Sequence, residues 1–165
     1  MAALQADTEG TTTDTSIESI VAMEAQSLAA AMTANTGYWV AGLFPLTPFT
    51  VSDAAGTVTI SSATSNARVS SLNGDNTDCT ATTCSPEQMA SYDLKAWEAN
   101  LSKQVPGASS TISCAVATVS ATAAEQPSQC TIQITWTAKV AAALNAGTAR
   151  SAATNTSRYT LVEAL

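Results

Sequence analysis

The spacing of apolar residues changes period along this chain, and each change marks an element. From Asp14 to Asn35, apolar side chains recur at Ile17, Ile20, Val21, Leu28, Ala31 and Met32. That is a stripe at helical spacing. Thr15-Ser16-Ile17-Glu18 has the form of a capping box at its start, and Asn35-Thr36-Gly37 supplies a stop. The run Asp7-Thr8-Glu9-Gly10-Thr11-Thr12-Thr13 is poor helix material. The expectation is therefore a regular helix over 14–36, with a frayed or broken segment over 1–13.

Residues 38–78 have the look of strand and loop. Tyr38-Trp39-Val40 and Gly42-Leu43-Phe44-Pro45 suggest an aromatic-anchored loop, and Gly56-Thr57-Val58-Thr59-Ile60-Ser61 a short strand. Asn73-Gly74-Asp75-Asn76 is turn chemistry. A second helix is predicted over 85–105: Ser85 caps it, Pro86 suits its first position, Gln88 completes a capping box, and Val105-Pro106-Gly107 ends it. Met89, Ala96, Trp97, Leu101 and Val105 are expected on its inner face, with Asp93, Glu98 and Lys103 outside.

The period then drops to two. Ile112, Cys114 and Val116 alternate with Ser113, Ala115 and Ala117; Cys130, Ile132, Ile134 and Trp136 alternate with Thr131, Gln133 and Thr135. These are half-buried antiparallel strands. Residues 141–156 resemble a linker, and Tyr159-Thr160-Leu161-Val162 a closing strand. The sum is one α+β domain over 1–165, its globular part over 37–165 carrying the 85–105 helix and a C-terminal antiparallel sheet.

Composition narrows what such a domain does. The net charge of −7 repels a phosphate backbone, so no nucleic-acid partner is expected. There is no histidine, which removes the commonest general base and neutral metal ligand. No carboxylate pair stands near a nucleophile motif or phosphate loop, so no catalytic residue, metal, cofactor or small-molecule substrate is expected. Asp75 and Asp78 resemble a fragment of a calcium loop, yet their spacing fits no EF-hand and no distal bidentate Glu follows; a polar turn is the reading adopted.

Cysteine count changes the picture more. Cys79 and Cys84 frame a short polar loop, and Cys114 and Cys130 a longer one. An even number in a chain with only 12% charged residues and many Thr and Ser points to an oxidising compartment. Three pairings exist on paper; Cys79–Cys84 with Cys114–Cys130 is favoured because each is local. A four-cysteine zinc site is the rival, but only the first pair has knuckle spacing. Met1 to Gln5 form no signal peptide, and no stretch approaches the ~20 apolar residues of a membrane span. An exported protein needs an export signal, so the chain is expected to be a truncated one.

The run from Cys84 through Ser85, Pro86, Tyr92, Asp93, Leu94 and Trp97 to Val105-Pro106-Gly107 resembles the central signature of PilV-type minor pilins of type IV pili. Ile132-Gln133-Ile134-Thr135-Trp136 is similar to that family's strand ending in tryptophan, and Ala25 to Asn35 to the end of its spine helix. The family's processing site, near-terminal glutamate and most of its membrane helix have no counterpart here.

The resemblance implies a pilin-like fold, with an N-terminal spine helix on a small antiparallel sheet. It implies an inner-membrane subunit, anchored by the missing helix with a periplasmic head, and later part of the extracellular fibre or tip. There it primes pilus assembly with other minor pilins and a PilY-type tip protein, in a fibre used for adhesion and twitching motility. On that reading Ile17, Ile20, Val21 and Glu24 contact partners, while Leu28 and Met32 dock the head's own sheet. A type II secretion pseudopilin shares the plan. A secreted adhesin is the reading from another class, with Tyr38, Trp39 and Phe44 as candidate platform residues, although a core or docking role is the one expected of them.

Overall fold

The computed structural model describes residues 2–116, 128–139 and 154–165, with side chains from residue 16 onward in the first segment. The order is α1 (Ala2–Ala34), α2 (Thr36–Trp39), β1 (Phe49–Ala54), β2 (Thr57–Ser61), α3 (Ala67–Gly74), α4 (Pro86–Gln104), β3 (Ser109–Ala115), β4 (Gln129–Lys139) and β5 (Thr154–Ala164). The strands form one antiparallel sheet in the order β2-β1-β3-β4-β5. The domain is α+β: α1 crosses β4 and β5, α4 crosses β1 and β2, and both helices lie on one face.

Helix α1 runs unbroken from Ala2, so the break expected over 7–13 and the cap expected at Thr15 are both corrected. Each poor helix former there costs about 1 kcal/mol or less, whereas a break must be followed by a new nucleation. Asn35 ends the helix; its amide Nδ2 donates to the carbonyl of Pro86 at 2.8 Å and so ties the end of α1 to the start of α4. Gly37 sits at that junction because a Cβ there would lie 3.1 Å from the Pro86 ring.

The first hairpin is partly new to the sequence reading. β2 lies where the alternation put it, but β1 precedes it unannounced, joined by Ala55 and Gly56 at φ 53° and 83°. Positive φ at both central residues matches the twist of a two-residue hairpin, and Asp53 Oδ1 accepts from the Gly56 amide at 2.7 Å to hold it. α3 also falls in the stretch read as strand and loop. Asn66 caps it, accepting from the amides of Arg68 and Val69.

Helix α4 forms as its signature predicts. The Gln88 amide donates to Ser85 Oγ, and the Ser85 amide to Gln88 Oε1, a complete capping box. Across the sheet, alternation holds: Ile112, Cys114, Cys130, Ile132, Ile134 and Trp136 all face the helices and are buried. Val116 departs from it, lying past the end of β3 and exposed. Ala117 and most of 141–156 lie outside the described residues. Both disulfides take the favoured pairing; Cys114 and Cys130 are register partners on β3 and β4.

Candidate functional site: the two-helix layer and its loops

One layer of the molecule, α1 with α4 and the loops at their ends, gathers most residues singled out from the sequence. Its centre is the contact between Trp97 and Glu24. The Trp97 indole Nε1 donates to the Glu24 backbone carbonyl at 2.8 Å, and Gln104 Nε2 donates to the Glu24 carboxylate. Leu28 and Met32 are buried in the core. Val21 is 0% exposed in the same core, and so has no surface to offer a partner. Glu24 is half-buried at the edge of that core, its side chain reaching Gln104. Ile17 and Ile20 are half-buried against the core. The face of α1 turned away carries Ser19, Met23, Gln26, Ser27 and Ala30.

The three aromatics take the core role that was expected of them over a binding platform. Tyr38, Trp39 and Phe44 are buried: Tyr38 packs edge-on against Trp39, and Trp39 stacks on Phe44. Burial pushes the Tyr38 hydroxyl well above its ordinary pKa, with Glu87 adding to the effect. What the loop shows to solvent is aliphatic: Val40, Leu43 and Leu46. Arg68 holds it in place, its guanidinium donating to the carbonyls of Gly42 and Phe44 at 2.8 and 3.0 Å.

Between the end of α1 and the start of α4 lies an open cleft of about 480 Å³, lined by Ala31, Asn35, Cys84, Pro86, Met89 and Asp93 among others. Burial raises the Asp93 carboxyl above its usual range. Beside it, the Cys79–Cys84 bridge closes an exposed Thr-rich loop. Of the other residues in the run from Cys84 to Gly107, Ser85 caps α4, Leu94 and Trp97 are buried, Tyr92 is half-buried, and Pro106-Gly107 makes the turn into β3 with Gly107 at φ 79°. Trp136 is buried on β4, away from this cleft.

The Asp75–Asp78 segment is a polar turn. Asp75 Oδ1 accepts from the Thr77 amide, and Asp78 Oδ1 from the amide and hydroxyl of Thr80; these bonds hold both carboxyls below their usual range. Lys95 of α4 reaches the same turn. Its ammonium donates to the carbonyls of Asn73 and Asp75 and to Asn76 Oδ1. Desolvation lowers the Lys95 pKa. Among the described residues, no group of three or more His, Cys, Asp and Glu side chains is placed to hold a metal, and no helix is long and apolar enough to cross a membrane.

Glu98 is the residue that sequence reasoning misplaced most. Assigned to the outer face of its helix, it is 0% exposed, pointing at β3, where Ser110 Oγ donates to Glu98 Oε2 at 2.9 Å. Among the described residues, its other oxygen, Oε1, has no partner within hydrogen-bond geometry, although the Asp53 backbone lies close enough to act on the carboxyl. Burial, aided by Asp53 on β1 and opposed by the Ser110 bond, pushes its pKa up to about 7. Conversely Ala96, assigned inward, is exposed. The spacing Ala90, Leu94, Trp97, Leu101 already put position 98 on the inner face; only its residue type argued otherwise. Comparison finds no matching family model, no curated relative and no similar solved structure.

Proposed function

We propose that this chain is the spine-and-head portion of a type IV minor pilin of the PilV kind, acting in the priming of pilus assembly and in the tip complex with other minor pilins. The observation that carries the reading is the way one 33-residue helix is used: residues from Ile17 to Met32 dock on a five-stranded antiparallel sheet, and Trp97 of the signature helix locks onto the same stretch through Glu24. A helix can serve in this way both as a rod for bundling with neighbours and as the keel of a stapled head. The outward face around Met23 is where partner helices would lie, with a PilY-type protein and the other minor pilins as partners. Anchoring would be in the inner membrane before assembly and the final position extracellular.

The direct test is genetic and biochemical. In the bacterium that encodes this chain, deletion of its gene should reduce surface piliation and twitching motility. The membrane-extracted protein should co-purify with other minor pilins, and Met23→Glu should weaken that association while leaving the head folded. Normal piliation in the deletion strain together with no co-purifying pilin would defeat the proposal.

A further inference from the structure

The two edges of the sheet are treated differently. β2 at one edge has five residues, and the amide of Ile60 is taken by Asn73 Oδ1 of α3. β5 at the other edge has eleven residues in unbroken register with β4, without proline, glycine or lysine. Natural edges are usually blunted by such residues, by bulges or by shortness. Among the described residues, neither a bulge nor a proline interrupts this one, and Arg158 is the one charge on its outward-facing row.

Its backbone polarity follows from one bond. The Leu165 amide donates to the Ser128 carbonyl, so the odd-numbered residues of the strand turn their N–H and C=O groups toward β4. The even-numbered residues Thr156, Arg158, Thr160, Val162 and Ala164 turn theirs outward. Only another extended backbone matches such a row of alternating donors and acceptors. On the helix side of the strand, Tyr159, Leu161 and Leu165 pack on the core yet stay partly exposed.

We propose that β5 pairs antiparallel with β5 of a second copy of this chain, about a two-fold axis at Thr160, joining two sheets edge to edge. The strand is self-complementary in that register. Tyr159 lies opposite Leu161 of the second copy, and Leu161 opposite its Tyr159, so both half-exposed apolar side chains are covered. Arg158 lies opposite Val162 and Ser157 opposite Glu163, so no like charges meet. Centring the axis on Arg158 would set guanidinium against guanidinium; centring it on Tyr159 would leave Leu161 facing Ser157. The closed two-fold arrangement is also the commonest way for a chain to meet itself. This inference does not depend on the filament-subunit reading.

The test is sedimentation equilibrium of the 165-residue chain over a concentration series. Val162 is 57% exposed, so charge can be placed there without disturbing the monomer. Val162→Lys faces Arg158 of the second copy at two equivalent places and should weaken the dimer about fivefold or more; Val162→Glu should tighten it by a similar factor. Thr160→Pro, at an outward-facing amide, should abolish pairing while circular dichroism stays unchanged. A chain that remains monomeric throughout overturns the proposal, whether water or a strand from a different protein then occupies the edge. A dimer indifferent to both charges at position 162 overturns it too, since the contact would lie elsewhere.

Discussion

The indole nitrogen of Trp97 donates to the backbone carbonyl of Glu24 across 2.8 Å, linking two helices whose residues stand 73 positions apart. This bond sets where α4 crosses α1, because the ring is buried while its one polar atom reaches the neighbouring backbone. Trp97→Phe should keep most of the packing and lose the bond, at a cost of about 1–2 kcal/mol. Trp97→Ala should cost about 3–5 kcal/mol, since it also leaves a cavity. Chemical denaturation of both variants measures the difference; a Trp97→Phe variant as stable as the parent would mean the bond contributes nothing.

Glu98 makes stability depend on pH in an unusual direction. Its folded pKa of about 7 lies above the ordinary value of 4.5, so folding favours the neutral form. Its contribution is therefore fully present below pH 4.5 and is lost as pH rises through 7. That difference corresponds to about 3 kcal/mol. Thermal melts should show Glu98→Gln stabilising the protein at pH 8 and having little effect at pH 4.5. Parallel pH profiles for the variant and the parent would refute the assignment.

The two disulfides differ in exposure. Cys114 and Cys130 are buried between helices and sheet, whereas Cys79 and Cys84 are half-buried at an exposed loop. Mild thiol treatment of the folded protein should open Cys79–Cys84 first, read by alkylation and mass spectrometry. Replacing Cys114 and Cys130 by alanine should cost about 3 kcal/mol, and the shorter bridge about 2, on the chain-entropy account.

Ser85 is a local test of the same helix. Ser85→Ala removes the acceptor for the Gln88 amide and should cost about 1 kcal/mol, seen as a drop in melting temperature of about 2–4 °C. No change would show that Pro86 and the Asn35 contact suffice to start the helix.

These residues also show how far sequence alone reaches. The capping box at Ser85, the alternation of β3 and β4, and both cysteine pairs were legible, because each depends on residues close in sequence or on a period. Helix α3 and strand β1 were not; both lie in a stretch with weak punctuation, where Asn66 and the Ala55-Gly56 turn give short signals that only packing confirms. The fate of Glu98 was hidden for a different reason. Its spacing placed it inward and its charge outward, and no local rule says which wins.

What the order of residues settled by itself was the set of elements that a few neighbouring side chains can impose: the α4 cap, the strand faces, the two local cross-links. What only the assembled molecule decided was which surfaces were left over. Val21, the three aromatics and Glu98 vanished into the interior because α1, α4 and the sheet close on them from separate parts of the chain. Among the described residues, β5 has a strand on one side only because it stands last in the sheet. Burial belongs to all the elements packed around a residue, and so it cannot be read from the element that carries it.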